Sequence, residues 1–403
     1  MPRIFVIGTS DTKAAELAFL TGLLRAGHTD VALVDISTRT PVPHADHSAD
    51  NRADITAAEV AAHHPDGPGF LTGTDRGTAV AAMGTALAHF LPAQPDLGGV
   101  IGIGGGGGTS MISAGLRALP YGVPKLMVST LASGDTSPYV GISDLIMIPS
   151  VTDLAGLNRL NRVILHNAAQ ALLGMVRHPA PATEGKPAIG LTMFGVTTPC
   201  VTAISTALTD YDCMIFHATG TGGRTMEKLA DSGLLTGFLD ITTTEVADLL
   251  CGGVLACTED RFGAVARTGL SWVGSLGALD MVNFGASDTV PAQYRDRLFY
   301  HHNPQVTLMR TTPAENTQIG AWIATRLNLC HGPIRLLIPE GGISALDTLG
   351  GAFHDPAANQ ALFTALENGL QQTDNRQIIR LPHHINDPAF AAAAVATFRS
   401  LTD

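Results

Sequence analysis

Short apolar runs of strand length recur along the chain. Each is closed by Gly, Ser, Thr or Asp and followed by apolar positions at helical spacing. In the N-terminal part the runs are Arg3–Ile7, Val31–Asp35, Val100–Ile103, Lys125–Ser129 and Leu145–Pro149. They are near-continuous rather than alternating, the pattern of strands buried on both faces of a parallel sheet. A long helix is expected over Asp153–Met175. The stretch HPAPATEGKP at 178–187, rich in proline and polar residues, reads as a linker. The pattern restarts at Ala188–Thr192, Met214–His217 and Gly237–Asp240, with later strands expected at Ser271–Val273, Gln305–Met309 and Leu336–Pro339. Strands alternating with helices predict an α/β protein of two tandem Rossmann-like lobes. Each is a mostly parallel sheet flanked by helices, the first over 1–178 and the second over 187–403.

Composition narrows the function. With 24 Lys and Arg against 35 Asp and Glu, the net charge over 403 residues is −11. A nucleic-acid surface needs an excess of cations, so that class is excluded, while a small anion held by backbone N–H groups is not. The five cysteines include no C-x-x-C pair, and reduced thiols in the cytoplasm are expected. The longest uncharged stretch is broken by glycine, so no membrane span is expected.

Of 44 glycines, five run consecutively from Gly104 to Gly108, followed by Thr109 and Ser110. Such a run costs chain entropy and adds no packing. It makes sense where backbone meets a ligand, as a nest of N–H donors leading into a helix. GTSDTK at Gly8–Lys13 is a second strand-to-helix turn, with Thr9, Ser10 or Asp11 as cap and Lys13 as a cation in the first turn. In a third, Gly134 and Asp135 follow the run Lys125–Ser129; Asp135 is a candidate for Mg²⁺ or for an Asx turn.

The second lobe carries FHATGTGGRTME, Phe216–Glu227. His217 suits acid–base work, Arg224 suits a carboxylate or phosphate, and Glu227 starts the following helix. These three are the catalytic candidates, beside the structural alternative of a strand-end His and a helical Glu. TGTGGRTM aligns loosely with GGGGGTSM, which hints at a repeat. Thr242–Glu245, Thr312–Glu315 and Ser344–Asp347 read as capping boxes. Glu340, Gly341 and Gly342 remain candidates at a strand end. The pairs His301–His302 and His383–His384 diverge on any regular element and are not expected to share a metal.

GTSDTK, the Gly104–Ser110 loop, SGDTSPYVGISD (Ser133–Asp144), VTDLAGLNR (Val151–Arg159), FGVTTP (Phe194–Pro199), FHATGTGGRTME, GALDMVNFG (Gly277–Gly285), LMRTTPAEN and IPEGGIS together resemble the Tm-one-like ATP-binding domain family over nearly the whole chain. The resemblance implies two Rossmann-like lobes, ATP with Mg²⁺ at the first, and a homodimer. It implies nucleotide contacts from Thr9, Asp11, Thr12, Lys13, Gly105, Gly106, Gly107, Gly108, Thr109, Ser110, Gly134 and Asp135. Gly106 stands where the family pattern has serine, which leaves only a backbone contact there. Two functions are expected. One is an enzyme using ATP on a small polar substrate between the lobes, by phosphoryl or adenylyl transfer. The other is a module that senses nucleotide without turnover. A nicotinamide-dependent oxidoreductase is disfavoured, because no spaced acidic residue follows the glycines.

Overall fold

The computed structural model describes residues 2–27, 30–38, 52–71, 75–179 and 185–402. The chain divides into two units, Met1–Ala182 and Thr183–Asp403. Part of the expected linker, 180–184, lies outside the described residues.

The first unit holds five parallel strands: β1 (Arg3–Gly8), β2 (Val31–Asp35), β3 (Leu97–Gly104), β4 (Lys125–Ser129) and β5 (Ile146–Pro149), in the order β2-β1-β3-β4-β5. Successive residues of β1 feed opposite faces. Phe5 and Ile7 pack with helices Arg76–Phe90 and Gly106–Ala118 through Met83, Leu87, Met111 and Ile112. Ile4 and Val6 pack with helices Ser10–Gly27 and Arg159–Arg177 through Leu17, Leu20, Leu165 and Leu172. The strand order reverses between β1 and β3, and their carboxyl ends flank the crevice where open α/β sheets bind ligands.

The largest boundary difference from expectation lies in the long helix. The helix expected from Asp153 begins at Arg159, because Asn158 caps it, accepting the N–H groups of Leu160 and Asn161 at 2.9 Å. Gly156 sits at φ 95° before it and donates to Oε1 of Glu16 at 2.7 Å.

The second unit holds six parallel strands: β6 (Ala188–Met193), β7 (Asp212–His217), β8 (Gly237–Thr242), β9 (Ser271–Gly277), β13 (Ile334–Pro339) and β14 (Arg376–Leu381), ordered β14-β13-β9-β8-β6-β7. A small antiparallel sheet is inserted after β9, from β10 (Met281–Phe284), β11 (Phe299–Asn303) and β12 (Val306–Arg310). The expected strand Gln305–Met309 therefore belongs to a hairpin. Its turn is set by Asn303, whose Oδ1 accepts the N–H of Gln305 at 2.8 Å. The hinted repeat is not matched in position: the first glycine run follows the central strand β3, the second follows the edge strand β7.

Candidate functional site

β1 ends at Gly8 and β3 at Gly104, side by side in the sheet, and the segments that follow line one cavity of about 230 Å³. Thr9, Asp11, Thr12 and Lys13 come from the first segment, and Gly105, Gly106, Gly107 and Gly108 from the second. Of the residues expected at a nucleotide, these eight are brought together.

Helix Gly106–Ala118 starts at the cavity, with Gly105 as its N-cap and no side chain closing its first N–H groups. Gly104 is needed by packing, since a Cβ there would lie 2.8 Å from backbone atoms of Gly108 and Thr109. The four glycines after it are different. A Cβ at Gly105, Gly107 or Gly108 would meet its nearest neighbour at 3.8 Å, and one at Gly106 would meet nothing within 4 Å. None of the four has positive φ. Neither backbone conformation nor packing against the protein demands glycine here, and the missing side chains leave helical N–H groups open to the cavity.

The first segment departs from expectation. The N–H of Ser10 donates to Oδ1 of Asp35 at 2.9 Å and that of Asp11 to Oγ of Ser37 at 3.1 Å. These donors are therefore spent inside the protein. Thr9 accepts the N–H groups of Thr12 and Lys13 on its carbonyl, and its hydroxyl lies 2.7 Å from that of Thr12. Lys13 is at a break in the helix (φ −134°, ψ 28°) rather than in a regular first turn, and its Nζ donates to the carbonyl of Leu154 at 2.5 Å. Asp11 has a buried Oδ1 with no hydrogen-bond partner.

Four expected contacts fall outside the lining. Thr109 is fully buried, its hydroxyl 2.6 Å from that of Ser129, so it fastens the loop to β4. Ser110 is exposed one position beyond. Gly134 and Asp135 do not line the cavity either. Oδ1 of the exposed Asp135 accepts the N–H and hydroxyl of Ser137, and these bonds hold its carboxyl below the usual range. Asp135 is thus a turn residue, and Asp11 is the carboxylate at the cavity. Sequence reasoning missed Thr38 and Arg76. Arg76 is exposed at the start of its helix, after the N-cap Asp75, and has no ion-pair partner among the described residues. Only the strand order, which puts the end of β2 beside β1, could have pointed to Thr38.

The N-terminal domain model of the uncharacterised protein family UPF0261 matches residues 2–181, and its C-terminal domain model matches 186–402. The chain belongs to the UPF0261 family. A UPF0261 protein of Rhizobium meliloti is 63% identical over the full length of both chains. The tomato ToMV resistance protein Tm-1(GCR237) is 43% identical over all of this chain, which spans 56% of that protein. A putative UDP-N-acetylglucosamine 2-epimerase of Listeria monocytogenes aligns over 68% of this chain and 78% of its own at 10% identity, with a TM-score of 0.25, too low to bear on function. No helix among the described residues of this UPF0261 chain is long and apolar enough to cross a membrane.

In the second unit of the UPF0261 chain the three catalytic candidates do not form one cluster. His217 is exposed and stacks on Phe194, ring centroids 5.1 Å apart, and Arg224 is exposed. Glu227 is buried and engaged. It accepts from Nη1 of Arg261 at 2.9 Å and from the N–H groups of Phe262 and Ala264. Burial pushes its carboxyl up, against the pull of Arg261 and those two N–H groups. Arg261 also donates to Asp240 at 2.7 Å and Glu245 at 2.6 Å. Burial works against its charge, but the three carboxylates outweigh it and hold Arg261 well above its ordinary pKa.

Glu245 therefore does not form the expected capping box with Thr242. The box at Thr312–Glu315 does form. At Ser344–Asp347 no helix follows; Oγ of Ser344 closes a turn by accepting the N–H groups of Leu346 and Asp347. The second glycine cluster is needed by the fold. Gly220 has φ 78°, and a Cβ on Gly222 or Gly223 would collide with the His217 carbonyl or the Glu245 carboxylate. Among the described residues, no group of three His, Cys, Asp or Glu side chains is placed to hold a metal ion.

Proposed function

We propose that the first unit binds ATP, with Mg²⁺, at the carboxyl ends of β1 and β3. The observation that carries this reading is the run Gly105–Gly108, glycine without a structural need, at the mouth of an uncapped helix. Phosphate is the group such a nest suits. Lys13 and Arg76 line the same cavity and add cationic charge, and the unpartnered Oδ1 of Asp11 suits a role toward Mg²⁺. Magnesium needs only one or two protein carboxylates when phosphate oxygens and water complete its shell.

The enzyme reading, ATP used on a small polar substrate, needs positioning and charge neutralisation more than a nucleophile. The engagement of Glu227 by Arg261 favours the second reading, in which nucleotide is sensed and not consumed, because it withdraws one of three catalytic candidates. The homodimer implied by the family resemblance belongs to both readings and is checked by sedimentation equilibrium.

The test is thermal denaturation with ATP, with and without Mg²⁺. At one hundred times Kd a ligand adds roughly 2.7 kcal/mol. Stabilisation by ATP that is lost in Lys13→Ala and in Arg76→Ala supports the reading. Absence of any shift with ATP overturns it. ADP formed over long incubation, and abolished by His217→Ala, would decide for the enzyme.

A further inference from the structure

The second unit has a cavity of its own, about 230 Å³, at the carboxyl ends of β13 and β14. Asp347 lines it and is fully buried. Its Oδ2 accepts the N–H of Ile343 at 2.9 Å and Nδ2 of Asn359 at 2.6 Å. Its Oδ1 is buried without a hydrogen-bond partner. The nearest candidate, Nδ1 of His354, stands 3.9 Å away, beyond hydrogen-bond reach. A buried carboxylate oxygen with no donor is costly, and in a native fold it calls for a group that supplies one.

Charge narrows what that group is. Arg380 lines the cavity, but its guanidinium already serves two carboxylates, Glu340 at 2.7 Å and Glu367 at 2.6 Å. Asp347 adds a third. The buried Arg310 donates to Oδ1 of Asn359 at 2.9 Å and to the main-chain carbonyl of Asp280, and even if its charge is set wholly against Asp347, Glu340 and Glu367 still outnumber Arg380. Carboxylates remain in excess, so the cavity selects a cation. A bare metal ion finds no three-residue donor set among the described residues. An ammonium group supplies both the charge and the N–H, and Phe363 and Pro356 line the cavity as apolar wall for a carbon chain.

We infer that this cavity is a binding site for a small primary ammonium compound, its N–H groups donated to Oδ1 of Asp347. It does not depend on the nucleotide reading, which concerns the other unit.

The test is calorimetric titration of the full chain with n-butylamine and, as the uncharged counterpart, 1-butanol. Saturable binding of the amine without binding of the alcohol is expected. Gln360, exposed at the cavity on helix Pro356–Gly369, gives a pair of variants that leave the core untouched. Gln360→Lys should weaken amine binding by about fivefold and Gln360→Glu should strengthen it, as expected for a charge close to the ligand. Asp347→Asn should abolish it, and Gly106→Ala, aimed at the other cavity, should leave it unchanged. Equal binding of amine and alcohol overturns the assignment. So does an affinity that ignores both Gln360 variants, or displacement of the amine by MgCl2 at equal concentration.

Discussion

Arg261 donates from Nε to Oε1 of Glu245 at 2.6 Å, while the other oxygen of Glu245 accepts the N–H of Gly220 at 2.7 Å. The guanidinium thus fixes the loop after β7 through the acid that opens helix Glu245–Cys251. Its other nitrogens tie Glu227 and Asp240 to the same point. Arg261→Met should cost about 3–5 kcal/mol in urea unfolding, because it leaves carboxylates buried and uncompensated. Arg261→Lys should recover only part, lacking the fork that serves three partners. Glu227→Gln should lower stability while leaving any ATP-induced shift intact; loss of that shift would contradict the structural role that its bonds to Arg261, Phe262 and Ala264 give it.

Gly104 and Gly106 should respond oppositely to the same substitution. Gly104→Ala forces a Cβ onto the backbone of Gly108 and Thr109, and overpacking of that kind costs about 1–3 kcal/mol. Gly106→Ala meets open space at the first helical position and should stabilise the chain by up to ~1 kcal/mol. Its ATP-induced thermal shift should fall by more than half. A Gly106→Ala protein that binds ATP normally would remove the glycine run from the site.

Asp280 gives a pH dependence with a definite sign. Burial is the main cause that raises its carboxyl from 3.8 to about 7, with Asp347 adding repulsion against the attraction of Arg310. A group whose folded pKa is raised contributes stability at low pH, lost as pH climbs toward the folded value. Relative to Asp280→Asn, the native chain should therefore lose up to about 1.4 kcal/mol per pH unit between roughly pH 4 and pH 7. Parallel stability profiles for the two proteins across that window would contradict it.

The thiols should separate by burial. Cys200, Cys251 and Cys257 are buried and pushed up to about 12, chiefly by desolvation, and Cys330 to about 11. Cys213 is partly exposed at the edge strand β7, and burial raises it less. Titration of the folded chain with a disulfide reagent should show one fast thiol, absent in Cys213→Ser, and four that react only on unfolding.

Most strands of the parallel sheets were legible because strands buried on both faces announce themselves as unbroken apolar runs, as in Ile4–Ile7; β14 was missed, because Arg376 and Arg380 break its run. β11 was missed too: four of its five residues, Tyr300 to Asn303, are exposed, so no period marks it. The cavity in the first unit was half legible. Its two loops are local strand-to-helix turns, visible in the order of residues. Arg76 reaches the same place through the packing of helix Arg76–Phe90 beside the sheet, which no local pattern encodes. Arg261 was missed for the same reason. Its three carboxylates lie 16 to 34 residues away in sequence, and only the folded sheet brings them to one guanidinium.

Peptide N–H groups at Gly106–Gly108 offer a ligand identical donors, whatever is attached beyond the phosphates. A cradle of that kind does not distinguish adenine from guanine. If the cavity holds a nucleotide as proposed, discrimination between nucleobases falls to its other lining side chains, Thr38, Arg76 and Val80 among them, and base preference would change there by substitution while the glycine run stays fixed.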